Sequence, residues 1–458
     1  MKLPVTWGTE RHLSKEKRKS MATIPHPPHR VPIVGDVIGI DRVNPNTKTV
    51  EMFGRLGPIY RRSIMGTDLT FVGSAELAEQ AFEESHWERF AGRPIVQLRD
   101  LAGDGLFTAA NDSDVWTQAH SALMPAFSKE AMSRYYGIMQ ATSEQLAESL
   151  RANPGERLVQ PLFARFAHEV IGVAGFGYSF GPDLLDNSHA FPAAMGRALQ
   201  YVQKAAIPVV GKRPGEKRQY EQDKALLLNT VREVIAGRSV RVESKDLLDA
   251  MIAAGLPKES IEQQLLTFLI AGQETTASTL GFMVYELGQR PDLRDSVRAE
   301  IESVAGGDAV SFKDAPRLRL LRACISESLR LHPSAPGFFR AARHDTMLGD
   351  YSFAAGEWVF VLLMAVHRDR EAWGSDAHDF NPHRFLDTGR RIPTSYRPFG
   401  TGIRSCIGRQ FAQLELTLAM AELVRNLDWT IVSPSGPLEL DETLTIRPRN
   451  LQVNFQPR

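Results

Sequence analysis

The 458-residue chain has little cysteine: only Cys324 and Cys406, without the paired spacing of a zinc site or a disulfide framework. That scarcity fits a reducing, cytoplasmic setting. Net charge is also missing. Its 54 Lys and Arg offset 54 Asp and Glu, giving no overall pull toward nucleic acid or anionic membrane. No apolar run is long enough to span a bilayer, the longest lying at about 358–366. The start has no apolar core for a signal peptide. Residues 1–21 are polar and basic, with Lys15-Glu16-Lys17-Arg18-Lys19, and read as a flexible solvated tail. No linker or charge block divides the rest, so residues 22–458 are expected to form a single domain, although length alone suggests about three.

What the sequence does have is centred on Phe399–Gly408, Phe-Gly-Thr-Gly-Ile-Arg-Ser-Cys-Ile-Gly. Cys406 follows a glycine-punctuated bend and precedes an apolar-periodic run to about Leu427. A cysteine at a helix start faces unpaired N–H groups and the positive end of the dipole, which favour thiolate over thiol. A thiolate is what a metal ligand must be. Gly400, Gly402 and Gly408 let backbone bend tightly and approach a flat cofactor, and Arg404 offers a fixed charge for an acidic group on it. Two other readings stand beside this one. A dinucleotide loop would need glycine where Ser405 sits, and an inert buried thiol is what most free cysteines are.

Along the chain, 24–43 reads as a Pro-rich extended strap and 59–72 as a strand pair turning at 65–68. A short helix follows at 74–85, and 98–109 reads as a loop presenting Phe107. A helix from Asp114 places Trp116 and His120 on one face. Long helices are expected at 128–152, 161–176, 191–207 and 216–237, the last two bracketing the basic loop 211–215 either as a mobile lid or as a plain helical hairpin. Pro257 to Arg290 reads as one helix roughly 50 Å long. Its middle, Ala271-Gly272-Gln273-Glu274-Thr275-Thr276-Ala277-Ser278-Thr279, is rich in poor helix formers. Either its hydroxyls bond back along the helix, or local rules give way at a functional site. Glu327 and Arg330 are i, i+3 neighbours on a helix ended by Pro333. Strands are expected from Gly337 and over 351–366, and a closing hairpin over 438–455.

The loop at Cys406 resembles the cysteine-ligand loop of the cytochrome P450 superfamily, Phe-x-x-Gly-x-Arg-x-Cys-x-Gly. Phe399, Gly402, Arg404, Cys406 and Gly408 fill every fixed position. The helix centre resembles the family's Ala/Gly-Gly-x-Asp/Glu-Thr pattern. Glu327, Arg330 and Arg384 resemble its Glu-x-x-Arg network. More narrowly, 102–108, 367–374 and 441–445 resemble the haem domain of bacterial fatty-acid hydroxylases fused to a diflavin reductase.

This resemblance implies a mainly α fold with a smaller β region, a triangular prism, holding haem b (iron protoporphyrin IX) through Cys406. It implies that Trp116, His120, Arg404 and Arg340 meet the propionates. Gly272 would thin the helix over the iron, and Glu274 and Thr275 would form an acid–alcohol proton relay. Phe107, Ala271, Ala335 and Leu444 would line the substrate pocket, with Glu327, Arg330 and Arg384 as a structural buttress. The implied reaction is insertion of one oxygen atom from O2 into a lipophilic small molecule. Electrons are expected from a separate ferredoxin or flavodoxin with its reductase, since the sequence ends without a flavin domain. A peroxide-driven peroxygenase or isomerase and a haem-binding sensor are the other classes. Thr67 and Phe71 stand where those fatty-acid hydroxylases carry a carboxylate-holding arginine and tyrosine.

Overall fold

The computed structural model describes residues 22–41, 43–186, 189–206, 214–238 and 246–458. The basic tail and positions 211–213 of the basic loop lie outside these described residues.

The helices are α1 (Pro45–Leu56), α2 (Ala75–Ala81), α3 (Arg93–Ala102), α4 (Asp114–Leu123), α5 (Lys129–Ala152), α6 (Val159–Phe176), α7 (Ala190–Ala206) and α8 (Pro214–Gly237). They continue with α9 (Leu247–Ala253), α10 (Lys258–Gly288), α11 (Pro291–Ala305), α12 (Arg319–Leu331), the single turns α13 (Leu363–Val366) and α14 (Arg370–Trp373), and α15 (Arg409–Asn426). Five strands make one sheet in the order β1-β2-β8-β5-β3: β1 (Ile59–Ile64), β2 (Thr67–Val72), β8 (Trp358–Leu362), β5 (Gly337–Ala342) and β3 (Trp87–Arg89). A second sheet orders β4 (Gly155–Leu158), β12 (Gln452–Pro457) and β9 (Leu427–Ser433). Two hairpins remain, β6 (Thr346–Leu348) with β7 (Tyr351–Phe353), and β10 (Leu440–Glu442) with β11 (Ile446–Pro448).

Several boundaries follow from capping chemistry. Ser74, Ser113 and Ser128 each accept a backbone N–H three residues on, opening α2, α4 and α5. Pro291 sits at the first position of α11 and therefore starts a helix as well as stopping α10. α10 is buried nearly all round, as a helix crossing a large interior must be. It packs on α6 and α15, and the largest apolar cluster gathers on these helices and α5. Each fully buried Leu or Phe there contributes about 1.5–3 kcal/mol.

Three readings need correcting. Leu98–Ala102 is the last turn of α3, so the loop begins only at Gly103. The expected strand at 351–366 divides into β7, β8 and the helical turn α13. The closing hairpin stops at Pro448, because β12 turns away to pair with β9 and β4. In the last two cases strand pairing overrode a local apolar pattern. Among the described residues, no helix is long and apolar enough to cross a membrane.

Candidate active site

Gly400 and Gly402 take φ of +80° and +66°, a region that favours glycine, and bend the chain after Phe399. A Cβ on Gly402 would collide with the Glu84 carboxylate. The Cys406 N–H donates to the Phe399 carbonyl at 2.8 Å, and α15 begins three residues later. Cys406 is exposed on one side. Packing around it pushes its thiol up, against the downward pull of the Gly408 N–H and the Arg409 charge. For the free thiol, desolvation outweighs those two pulls. A coordinating metal cation deprotonates such a thiol outright. A Cβ on Gly408 would lie 3.9 Å from the sulfur, so the bare glycine keeps that flank open. Cys324, on α12, is fully buried, and burial pushes its thiol up as well.

Beside this loop lies a cluster of cations and rings. Trp116 and His120 stack on α4 with centroids 4.5 Å apart, and the Arg404 guanidinium lies 3.9 Å from the Trp116 ring centroid. Arg404 donates to the carbonyls of Leu106, Ala109 and Ala110. Arg89 on β3 also donates to Ala109, at 3.1 Å, and to Phe107. Neither guanidinium has a carboxylate partner among the described residues. Burial, and then a neighbouring cation, lowers each to about 10: Arg89 acts on Arg404 and Arg99 on Arg89. Burial and then the Arg404 charge push His120 down too. Uncompensated, partly buried cations are costly unless an anion joins them. The propionates of haem fit this donor set.

Arg340 is not part of that cluster. Its Nε and Nη2 donate to the buried carbonyls of Ala81 and Trp87 at 2.9 and 2.8 Å. Arg89 is the cation brought to Arg404 instead. The sequence reading missed it because Trp87–Arg89 is a three-residue strand with no pattern of its own.

On α10, Ala271 is exposed and Thr275 half-buried, one turn apart on an otherwise buried helix. The Thr275 hydroxyl donates to the Ala271 carbonyl at 2.7 Å. Glu274 is buried with its carboxylate turned to the C-terminal hairpin, where Thr445 Oγ1 lies at 2.8 Å and Arg447 Nη1 at 3.2 Å. Glu274 and Thr275, expected as an acid–alcohol relay, thus bond to different partners here, Glu274 being held by the hairpin. A Cβ on Gly272 would point at Ile171 of α6 at 3.6 Å, so the thin spot faces α6. Helical geometry directs residue 272 about 100° away from residue 271.

The segments carrying the other pocket candidates meet α10 at two places. Ser334, next to Ala335, donates to the Thr275 carbonyl at 3.1 Å and accepts the Ile446 N–H at 2.8 Å. Leu444 sits half-buried beside Thr445 in the same hairpin. The Phe107 loop docks on α10 through Gln263 and Gln264, which accept the N–H groups of Asp104 and Leu106 at 3.1 and 2.8 Å. A Cβ on Gly105 would collide with the Thr267 hydroxyl, which explains that loop's second glycine. Phe127 links α10 to the cysteine loop: its ring centroid is 5.7 Å from that of Phe268, and it lies 3.9 Å from a Cβ on Gly408.

Glu327 is fully buried and bonds Arg330 twice, at 2.7 and 2.8 Å, and Arg384 at 2.9 Å. Arg330 also donates to the carbonyls of His367, Ala377 and Asp379, pinning the segment that leads into the cysteine loop. Tyr396 donates to the Ser326 carbonyl at 2.8 Å from the same segment. A further acid was not singled out from the sequence. Glu415 on α15 is buried, accepts from Thr276 at 3.2 Å, leaves Oε1 without a partner, and is pushed up to about 8 by burial.

The cytochrome P450 family model matches residues 25–455. The chain is 34% identical over 419 residues to "Bifunctional cytochrome P450/NADPH--P450 reductase 2" of Bacillus subtilis, covering 88% of this chain and 40% of that protein. It is 32% identical over 456 residues to "Bifunctional cytochrome P450/NADPH--P450 reductase" of Bacillus cereus, covering 96% of this chain and 43% of that one. The chain thus spans about two-fifths of the length of these relatives. The crystal structure of a cytochrome P450, CYP102L1, superposes with a TM-score of 0.88 at 36% identity, over 95% of this chain and 99% of that one. With the fold, the cysteine loop and these matches in agreement, this chain belongs to the cytochrome P450 family, whose members bind haem b through a cysteine thiolate.

Proposed function

We propose that this chain works as a haem-thiolate monooxygenase, inserting one oxygen atom from O2 into a lipophilic small molecule by hydroxylation or epoxidation. The observation carrying this reading is the set of carboxylate-free cations, Arg89 and Arg404, that share the Ala109 carbonyl beside the one accessible cysteine. Haem, when bound, supplies an iron that activates dioxygen under the electron push of a thiolate. Cys406 is that ligand. Arg89, Arg404, Trp116 and His120 would hold the two carboxylates of the haem. Ala271 keeps the α10 face apolar and short at the reacting position. Thr275 donates or passes a proton there, and Glu274 reaches it only by leaving Thr445 and Arg447. Phe107, Ala335 and Leu444 exclude water around the substrate.

The early strands support a neutral substrate. Thr67 is exposed, and Phe71 packs between Tyr60 and Phe360 with ring centroids 5.2 and 6.2 Å away. Arg62 is buried against the carbonyls of Asp36 and Ile38, and Arg61 is drawn to Thr70, Asp68 and Glu357. Neither arginine is free to grip a carboxylate. The relatives' names include an NADPH–P450 reductase. A flavodoxin-type donor is therefore preferred to a ferredoxin, meeting the protein near the exposed Arg397 and Arg409. A cytoplasmic location accords with these partners.

The test is spectral and then kinetic. Reduced protein with carbon monoxide should show the red-shifted Soret band of thiolate-ligated haem, and Cys406→Ala should lose it; retention overturns the ligand. Turnover should need O2 and a reduced donor, and turnover with hydrogen peroxide alone at equal rate would favour a peroxygenase. A methyl ester should bind as well as its fatty acid. Binding weakened about tenfold or more by esterification (about 1.4 kcal/mol) would reveal a carboxylate anchor.

A further inference from the structure

His86 and His344 stand 258 positions apart, yet their rings meet at the β3 edge of the five-stranded sheet. His86 Nδ1 lies 3.1 Å from His344 Nε2, with ring centroids 5.2 Å apart and ring planes inclined by 60°. Both side chains are exposed. The backbone that carries them is fixed. β3 and β5 pair with Trp87 opposite Ala342, and one step further the Arg343 N–H donates to the His86 carbonyl at 2.9 Å. Trp87 is buried and packs edge-on against Phe353, with ring centroids 5.3 Å apart. Its N–H closes a turn on the Glu83 carbonyl at 2.9 Å, so His86 is held on both sides.

Two imidazole nitrogens at this separation match the bite of one transition-metal ion. At a zinc–nitrogen bond of about 2.05 Å, two ligand nitrogens stand about 2.9 Å apart at a right angle and about 3.3 Å apart at the tetrahedral angle. The observed 3.1 Å falls between them. Both rings are at the surface, so side-chain rotation can aim two lone pairs at a shared ion. The surrounding charge favours a cation. Glu83 and Glu84 precede His86, and Asp345 follows His344; all three are exposed and form no ion pair among the described residues. Arg343, beside His344, is taken up by Glu88 at 3.1 Å. Thr346, opening β6, places its hydroxyl 3.4 Å from His86 Nδ1, within reach of a water on such an ion.

We propose that His86 Nδ1 and His344 Nε2 form a binding site for one divalent transition-metal cation of the zinc class. Imidazole suits zinc, copper and nickel, whereas magnesium and calcium take oxygen ligands. Among the described residues no three His, Cys, Asp or Glu side chains converge, so the remaining coordination positions go to water. The ion cross-links the start of β3 to the end of β5 and stabilises the folded chain by mass action. Arg89 lies three residues beyond His86, so the staple acts on the strand that presents this guanidinium to Ala109. The competing account is a hydrogen bond between two neutral rings, which binds no ion.

Calorimetric titration of the haem-loaded, untagged full chain with zinc chloride tests this without turnover, so its failure leaves the oxygenase reading untouched. Wild type should take up one equivalent of zinc that His86→Gln and His344→Gln both lack, and zinc should raise the melting temperature of wild type only. Glutamine keeps hydrogen-bonding groups there without an imidazole ligand. Metal-free melting temperatures and carbon monoxide spectra close to wild type report that the variants are folded. Magnesium chloride should give neither effect. The proposal is overturned if wild type takes up no zinc or if either glutamine variant keeps that equivalent. It is equally overturned if magnesium competes for the site, which would assign the ion to the neighbouring acids.

Discussion

Glu274 of α10 faces Arg447, not the hydroxyl of its sequence neighbour Thr275. The carboxylate lies 3.2 Å from the guanidinium of the C-terminal hairpin, while Thr275 is bonded back to Ala271 at 2.7 Å. Adjacent residues on a helix point about 100° apart, so Glu274 anchors the hairpin while Thr275 lies on the more open face beside Ala271.

Thr275→Ala should therefore leave haem binding intact and lower product per electron consumed about tenfold or more, with the missing equivalents appearing as peroxide. Thr275→Ser should restore most of the loss. Arg447→Ala separates the two duties of Glu274. If the clamp serves proton delivery, product per electron falls as in Thr275→Ala; a wild-type ratio assigns the clamp to the hairpin alone.

Glu327→Ala should be among the most damaging changes outside the haem pocket. It strips the buried Arg330 and Arg384 of their shared carboxylate. Breaking a buried ion network by removing one member costs about 3–5 kcal/mol. Thermal melts should show the loss, along with reduced haem retention. A melting temperature within one or two degrees of wild type would count against the buttress.

Glu415 should make stability depend on pH. Burial raises its folded-state value to about 8 from an ordinary 4.5. A raised value means the folded state binds the extra proton, so stability is fullest below the ordinary value. It is lost as pH rises through that window. Glu415→Gln keeps the acceptor for Thr276 and removes the titration. Its melting temperature should exceed wild type by a margin that grows from pH 5 to about pH 8. A constant margin would exclude Glu415 as the titrating group.

Electron entry should be sensitive to salt. Arg391, Arg397 and Arg409 are exposed around the cysteine loop, whereas Arg390 is spent on Trp373 and Asp376. Reduction by an acidic flavodoxin-type donor should slow as the Debye length shrinks from about 30 Å to about 8 Å. Arg409→Glu should slow it about tenfold. Stopped-flow rates indifferent to both would mean that the arginines are scattered solvated charges.

The sequence by itself determined the family, the ligand cysteine proposed here and the Glu327–Arg330 pair, since each sits in a contiguous motif whose spacing carries its geometry, while Arg384, 57 positions from Glu327, was legible only through the family resemblance. The glycine bend at 400–402 and the interrupted centre of α10 were legible for the same reason. Tertiary structure decided what depends on contacts between distant segments. Arg89 stands 315 positions before Arg404, yet both donate to Ala109. Arg340 was expected with the propionates, but the carbonyls of Ala81 and Trp87 claim its guanidinium. Glu274 was expected to work with Thr275, and its carboxylate is held by Thr445 and Arg447, 171 and 173 positions further along the chain. Motifs report which groups a local segment can present. Which partner satisfies a buried charge is decided only when the chain closes, because desolvation penalises a charge left without a counterpart and the counterparts come from distant segments.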